Sequence, residues 1–178
     1  KALNIPGVRQ YLNKGQIRIN EILNISEYGF QALESRKIKY YLRRGFLEIN
    51  HVLTISLNAL LALESSKFKD YIDQSLLSVW EALNIKHSAY VALINPRVCD
   101  AIKLPQDRFL IKYITENMTS EKLYKLQSNE TQVFFERSTS VHDRCKMVKA
   151  IVYGENETYR KLLKSAKKPT LLPLTWCA

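Results

Sequence analysis

The sequence predicts an all-α protein, organised as a right-handed-type α-solenoid of about thirty-residue repeats with a helical C-terminal cap. Three observations lead to this fold class. Apolar residues return to the same columns when the chain is written in steps of thirty. Residues that favour the start of a helix recur between those columns. Five glycines and five prolines among 178 residues are also too few for a typical β-rich or disordered chain.

The repeat is defined by columns of apolar residues. The clearest columns hold Val8, Ile38, Phe68 and Val98; Leu12, Leu42, Ile72 and Ile102; Ile19, Ile49 and Val79; Leu23, Leu53 and Leu83; and Ile25, Ile55 and Ile85. Because apolar residues at helical spacing are typical of a buried face, we expect these columns to form the core. The repeat array covers residues 1–138, with units at about 6–35, 36–65, 66–95 and 96–128 and a partial unit at 129–138.

The fourth unit keeps its register only if three residues are inserted. Met118 then falls in the column of Ile25, and Ser128 in the column of Ser35. After residue 138 the register is lost, so residues 139–178 are predicted to form a basic helical cap and tail. The pair Ala2-Leu3 repeats the Ala-Leu pair that closes the next unit, and we therefore expect the chain to belong to a longer array.

Each unit is predicted to contain three short helices. The first follows a column of capping residues, which holds Ser35, Ser65, Asn95 and Ser128. Their side chains can accept a hydrogen bond from a backbone N–H that the helix leaves unpaired. This helix is expected to end at a column that favours a break, which holds Gly15, Gly45, Ser75 and Pro105. A second helix is expected near residues 20–24, 50–54 and 80–84, and a third after Ser26 and Ser56.

Helices of about two turns are unstable alone in water, so the units should be stable only by stacking on their neighbours. Aromatic residues recur at equivalent or adjacent columns; they are Tyr11, Phe30, Tyr41, Tyr71, Trp80 and Tyr90. We favour core packing for this set. Stacking against a ligand is the alternative.

Two helices and an apolar tail are expected after the array. The first should span residues 141–153 and end at Gly154, and the second should follow Asn156 and run over residues 157–168 to Pro169. The tail, residues 171–176, is apolar and contains proline. We expect it to lie extended over the last helices.

The net charge of +10 is concentrated in this C-terminal segment, where residues 144–168 hold eight basic and two acidic side chains. On the second of these helices Tyr159, Leu162, Leu163 and Ala166 should face inward. The remaining cations then form a candidate interaction patch of Arg160, Lys161, Lys164, Lys167 and Lys168. One interpretation is a solvated face that keeps the array soluble. The other is a docking patch for an acidic partner.

Composition and motifs argue against several other classes. Cys99, Cys145 and Cys177 lack paired spacing, which favours a reducing compartment and predicts neither a metal site nor a cofactor. The best catalytic candidate is the pair His142 and Cys145 on one helical face, but no third group to orient the base is evident. We therefore expect Cys145 to be buried and the chain not to be an enzyme. No apolar run reaches the length of a membrane span.

The repeat resembles a short helical repeat of effector proteins that intracellular bacterial pathogens secrete, as by type IV secretion. The matching residues run from Gly15 to Ser35 and from Gly45 to Ser65, with residues 76–95 a looser copy. The resemblance covers residues 1–100 well, 101–138 weakly and 139–178 not at all. It implies docking or scaffolding, and delivery into the host-cell cytoplasm. It supplies no catalytic residues.

The expected function is therefore non-catalytic binding of another macromolecule, with a host protein as the expected partner. The alternative is binding of nucleic acid or an anionic membrane through the basic C-terminal helix. Solvent-facing columns that together mix both charge signs favour the protein partner over a polyanion; they hold Glu21, His51 and Glu81, and Lys14, Arg44 and Gln74.

Overall fold

The computed structural model of the protein describes residues 5–102, 108–138 and 140–167. This part of the chain is all-helical, and its helices are α1 (Pro6–Asn13), α2 (Ile19–Ile22), α3 (Glu27–Glu34), α4 (Arg36–Arg43), α5 (Ile49–Leu53), α6 (Leu57–Glu64), α7 (Ser66–Asp73), α8 (Val79–Leu83), α9 (His87–Ile94), α10 (Pro96–Ala101), α11 (Arg108–Asn117), α12 (Ser120–Gln127), α13 (Asn129–Arg137), α14 (Val141–Tyr153) and α15 (Asn156–Lys167). The first nine form three successive triplets of equivalent length, so the prediction of three short helices in each unit is confirmed for the first three units.

The chain divides into two compact units, Lys1–Tyr90 and Val91–Ala178. In the first, equivalent helices make equivalent contacts: α1 packs against α3 as α4 packs against α6. The third helix of each repeat also packs against the second helix of the next, α3 on α5 and α6 on α8. The predicted domain boundary after residue 138 stays a prediction.

The first helix of each triplet begins where the sequence predicts a break. Ser35, Ser65, Asn95 and Ser128 all have extended backbone conformations and separate two helices. The side chain of Ser35 accepts a hydrogen bond from Ile38 N at 3.1 Å. Asn95 and Ser128 cap their helices in the same way. The prediction that the Ser65 side chain caps α7 was wrong, because it accepts no capping hydrogen bond. Ser65 shares only the extended backbone conformation of this column.

In repeats 1 to 3 the first helix is followed closely by a residue in the left-handed region. Gly15, Gly45 and Ser75 lie thirty residues apart and have φ angles of 66°, 71° and 57°. Each donates its backbone N–H to a carbonyl three residues earlier. This confirms the predicted break at Gly15, Gly45 and Ser75. Pro105 and the pair Ala2-Leu3 lie outside the described residues.

Most apolar columns form the core, as expected. Val8, Ile38, Phe68 and Val98 are completely buried. The column of Leu12, Leu42 and Ile72 is only half-buried. Two residues of the first repeat depart further from the prediction, since Ile19 is 67% and Leu23 83% exposed. Their counterparts in later repeats are more buried because the third helix of the preceding repeat packs against α5 and α8. For α2 no such contact with a preceding repeat exists in the described residues.

The aromatic set divides between core and surface. Tyr41 and Tyr71 are buried, while Tyr11, Phe30 and Tyr90 are half-buried. Trp80 is 59% exposed, so the prediction that it fills the core was wrong. Its column is Asn20, Asn50 and Trp80, and both asparagines are also exposed. The column faces solvent in all three repeats.

In the second unit, the three-residue insertion leaves the third-helix register intact. Met118 is buried like the column of Ile55 and Ile85, and Thr119 caps α12 by accepting a bond from Lys122 N at 3.3 Å. The insertion precedes them, where α11 is ten residues long and the second helices of earlier repeats have four or five. The buried residues Leu110, Ile111 and Ile114 fill its inner face.

The last two helices are longer than those of the repeats. Helix α14 ends at Gly154, which is left-handed with a φ of 78°, as predicted. It packs against α10, α11 and α12, and α15 packs on α13 and α14. The apolar tail at residues 171–176 lies outside the described residues.

Candidate interaction surfaces

Helix α15 carries the basic patch predicted from the sequence. Arg160, Lys161 and Lys164 are exposed. Lys161 forms an ion pair with Glu157 at 2.6 Å, one turn earlier on the same helix. The side chain of Lys167 and all of Lys168 lie outside the described part of the chain.

The opposite face of α15 packs inward as predicted. Leu163 is buried, and Tyr159, Leu162 and Ala166 are half-buried. The Tyr159 hydroxyl lies 3.1 Å from Thr131 Oγ1 on α13, and Arg137 donates from Nη1 to the Ala166 carbonyl at 3.1 Å. Arg137 is thus used to hold α15 against α13. This packing fixes the helix that carries the exposed cations, and Lys161 is in addition paired with Glu157.

A second surface lies in the first unit, between the second helices of repeats 2 and 3. It is an open groove of about 420 Å³, which we call the Trp80 groove. It is lined by His51, Thr54, Ile55, Ser56, Trp80, Leu83, Asn84 and Ile85. None of these side chains is acidic or carries a permanent positive charge.

Trp80 forms one wall of this groove and is held by local contacts. Its ring meets the imidazole of His51 edge to face, with centroids 5.3 Å apart and planes at 71°. The backbone N–H of Glu48 donates to His51 Nδ1 at 3.3 Å, which orients the imidazole. Asn84 Nδ2 donates to the backbone carbonyl of Trp80 at 2.9 Å, which holds the helix end and not the ring. The contact with His51 therefore orients the indole, although the side chain is exposed.

The sequence contained a signal for this groove that the core interpretation overlooked. Trp80 lies in the same repeat column as Asn20 and Asn50, and two asparagines in one column predict a solvent-facing position. A tryptophan at such a position buries little area in the fold itself. Its presence there has to be explained by something other than core packing.

Large apolar side chains are also exposed elsewhere in the described residues. Ile19 and Leu23 belong to the second helix of repeat 1 and its end, and Phe46, which is 54% exposed, precedes the second helix of repeat 2. In the second unit Phe109 is 79% and Tyr124 75% exposed. Apolar exposure alone therefore does not single out one binding surface.

The structure adds no support for His142 and Cys145 as a catalytic pair. His142 is exposed and Cys145 is half-buried, so the expectation of a buried Cys145 was wrong. The described residues contain no group of three or more His, Cys, Asp or Glu side chains placed to hold a metal ion. Nor does any described helix have the length and apolar character needed to cross a membrane.

Neither protein-family models, nor curated proteins, nor solved structures gave a match to this chain.

Proposed function

We propose that this chain is a non-catalytic protein–protein interaction domain, a docking scaffold, of a bacterial effector secreted into the host-cell cytoplasm. The observation that carries the proposal is Trp80, an oriented and 59% exposed indole in a column that is otherwise asparagine. Tryptophan is among the residues that contribute most to protein interfaces, because it buries a large rigid surface at a small entropic cost. Repeat proteins create binding sites by varying such surface positions on a constant frame.

The proposed frame is the right-handed-type α-solenoid, with residues 139–178 as its cap. Two sets of repeated contacts support it. The third helix of one repeat packs on the second helix of the next in both α3–α5 and α6–α8, and several hydrogen bonds join side chains about one repeat apart, such as His87 Nδ1 to Asn58 Oδ1 at 3.2 Å. Inserting a second copy of residues 36–65 after residue 65 tests this frame. In a solenoid the longer chain folds and gains helix in proportion, whereas a closed domain loses its cooperative unfolding.

The binding proposal is tested by capturing partners with the purified chain. Trp80→Asn is the matched variant, because it restores the residue that repeats 1 and 2 have at this column and should leave the fold intact. We expect the parent chain to capture a protein from host-cell cytosol that it does not capture from a bacterial lysate. The Trp80→Asn variant should no longer capture this protein. Trp80→Phe should retain part of the binding, since it keeps an aromatic surface. Equal capture by parent and Trp80→Asn would refute the role of Trp80.

The alternative function is binding of nucleic acid or an anionic membrane through α15. The exposed cations Arg160, Lys161 and Lys164 favour it, because such side chains supply the sequence-independent attraction to phosphates. The test is to replace Lys161, Lys164, Lys167 and Lys168 by Gln and titrate salt. If α15 is the docking site, the parent chain should bind an oligonucleotide or phosphatidylserine vesicles, and the variant should bind more weakly with a shallower salt dependence. If the variant binds as well as the parent chain at low salt, the patch serves only to keep the chain soluble.

A further inference from the structure

The junction between repeats 1 and 2 is closed by hydrogen bonds from a single serine. Ser26, at the start of α3, donates its backbone N–H to the Leu53 carbonyl at 2.9 Å. Its hydroxyl donates to the Ile55 carbonyl at 3.0 Å. Both acceptors lie at the end of the second helix of repeat 2. These two bonds hold the third helix of repeat 1 tightly against repeat 2.

Gly29 allows this close approach. A Cβ atom at residue 29 would lie 2.6 Å from the Leu53 carbonyl oxygen and 3.1 Å from that of Val52. Real Cβ atoms essentially never come within 3.0 Å of another heavy atom in this way. Any larger residue at position 29 would therefore force the two repeats apart.

The junction between repeats 2 and 3 has a larger residue at this column, Ala59. Ser56 is the counterpart of Ser26, and it still caps its helix by accepting a bond from Ala59 N at 3.2 Å. Within the described residues, however, Ser56 donates neither to the Leu83 carbonyl nor to the Ile85 carbonyl. We attribute the difference to the methyl group of Ala59, since a Cβ atom at the equivalent Gly29 would lie too close to the Leu53 carbonyl oxygen.

The Trp80 groove lies at this second junction. Ser56, Leu83 and Ile85, which would be joined if the junction were closed, all line it. Ser56 thus lines the groove without the two bonds that its counterpart Ser26 donates to Leu53 and Ile55. A backbone segment from another molecule could bond to Ser56 instead.

We propose that the Trp80 groove binds an extended peptide segment that carries an uncharged apolar side chain. The peptide backbone supplies both a donor and an acceptor, which Ser56 and the carbonyls of repeat 3 require. The apolar side chain packs on Trp80 and Leu83. A charged side chain is disfavoured, because no acidic or permanently basic side chain lines the groove to replace its hydration. This inference rests on the proposed protein-binding function and names the chemistry of the partner.

Trp80 itself can report the binding. The chain has two tryptophans, so Trp176→Phe leaves Trp80 as the single indole emitter. The probe is the neutral peptide acetyl-Ser-Leu-Ser-Val-Ser-Leu-Ser-amide, titrated at constant salt. Its comparison probes are the same peptide with N-methylated leucine and valine, a peptide with arginine in place of leucine and valine, and an eight-nucleotide oligothymidine. We expect a saturable change in Trp80 emission with the neutral peptide, and binding at least about tenfold weaker with each of the others.

Two variants test whether the groove depends on Ala59. Ala59→Gly should let repeat 3 approach Ser56 and close the groove, so binding of the neutral peptide should weaken by at least about tenfold. Ala62→Gly is the matched control, since Ala62 is equally buried in the same helix. It carries a similar helix penalty and should leave binding unchanged. Circular dichroism shows whether both variants remain folded at the titration temperature.

The inference is overturned if the arginine peptide or the oligonucleotide binds more tightly than the neutral peptide. It is also overturned if no probe gives a saturable change, or if folded Ala59→Gly binds as well as Ala62→Gly. In each of these cases, loss of partner capture with Trp80→Asn would leave the proposed function standing. If Trp80→Asn captures the partner as well as the parent does, the proposed function falls together with the inference.

Discussion

Ser75 adopts the left-handed backbone conformation of Gly45, thirty residues earlier, with φ angles of 57° and 71° respectively. Both donate their N–H to the carbonyl three residues before, Ser75 to Ile72 at 2.9 Å and Gly45 to Leu42 at 3.1 Å. In the first three repeats this column therefore has one conformation, whether the residue is glycine or serine. Glycine adopts it freely, whereas a side chain does so at a cost of about 1–2 kcal/mol.

Ser75→Gly should therefore stabilise the chain. We expect an increase of about 0.5–1 kcal/mol in the free energy of unfolding, because the relief of strain is offset in part by the greater freedom of glycine in the unfolded chain. The reciprocal change Gly45→Ser should destabilise by a similar amount. Urea denaturation measures both. A loss of stability with Ser75→Gly would show that the serine makes a contact worth more than the strain.

The helix caps differ in energy although they share a column. Ser35→Ala should cost about 1 kcal/mol, because it leaves the Ile38 N–H without its partner. Ser65→Ala should lower the free energy of unfolding by only a few tenths of a kcal/mol, since the Ser65 side chain accepts no capping hydrogen bond. Thermal unfolding of the two variants side by side gives the comparison. Equal losses would mean that Ser65 caps its helix in solution.

The Leu23 and Leu53 column provides a test of burial. Leu53 is 4% and Leu23 83% exposed. Leu53→Ala should cost about 2–5 kcal/mol through lost burial and the cavity it leaves. Leu23→Ala should change the free energy of unfolding by no more than about 0.5 kcal/mol. If denaturant midpoints show a large loss with Leu23→Ala, its side chain is covered in solution.

Amide hydrogen exchange distinguishes the two junctions. The Ser26 amide should be protected, because it donates to the Leu53 carbonyl across the repeats. The Ser56 amide should exchange much faster, since it lacks the equivalent bond, and Ala59→Gly should slow it. Comparable protection of the two amides in the parent chain would contradict the account of the open groove.

Much of the fold could be predicted from sequence because the repeat gives each position several independent observations. The breaks at Ser35, Ser65, Asn95 and Ser128 follow from backbone chemistry that acts locally, and all four occur. Burial was predicted less well, since it depends on neighbours. Leu23 and Leu53 are both leucine and occupy the same column of the repeat, yet only Leu53 is buried.

The candidate groove escaped prediction for a related reason. Trp80 was assigned to the core on its hydrophobicity, whereas Asn20 and Asn50 in the same column indicated solvent. The opening itself depends on the difference between Gly29 and Ala59, which is a single methyl group. Its effect becomes evident only once the distance from residue 29 to the Leu53 carbonyl is known. Of the basic patch, the exposure of Arg160, Lys161 and Lys164 was predictable from helical spacing alone.

The central claim is that a protein partner binds at Trp80, and site-specific photocrosslinking tests it most directly. A benzophenone amino acid is placed at residue 80, at Asn50 in the same column of the preceding repeat, or at Arg160 on α15, and each protein is irradiated in host-cell cytosol. We predict a discrete crosslinked protein from position 80, which is competed by unlabelled parent chain and not by Trp80→Asn. Crosslinks from position 160 alone, or equal crosslinks from positions 50 and 80, would contradict the claim.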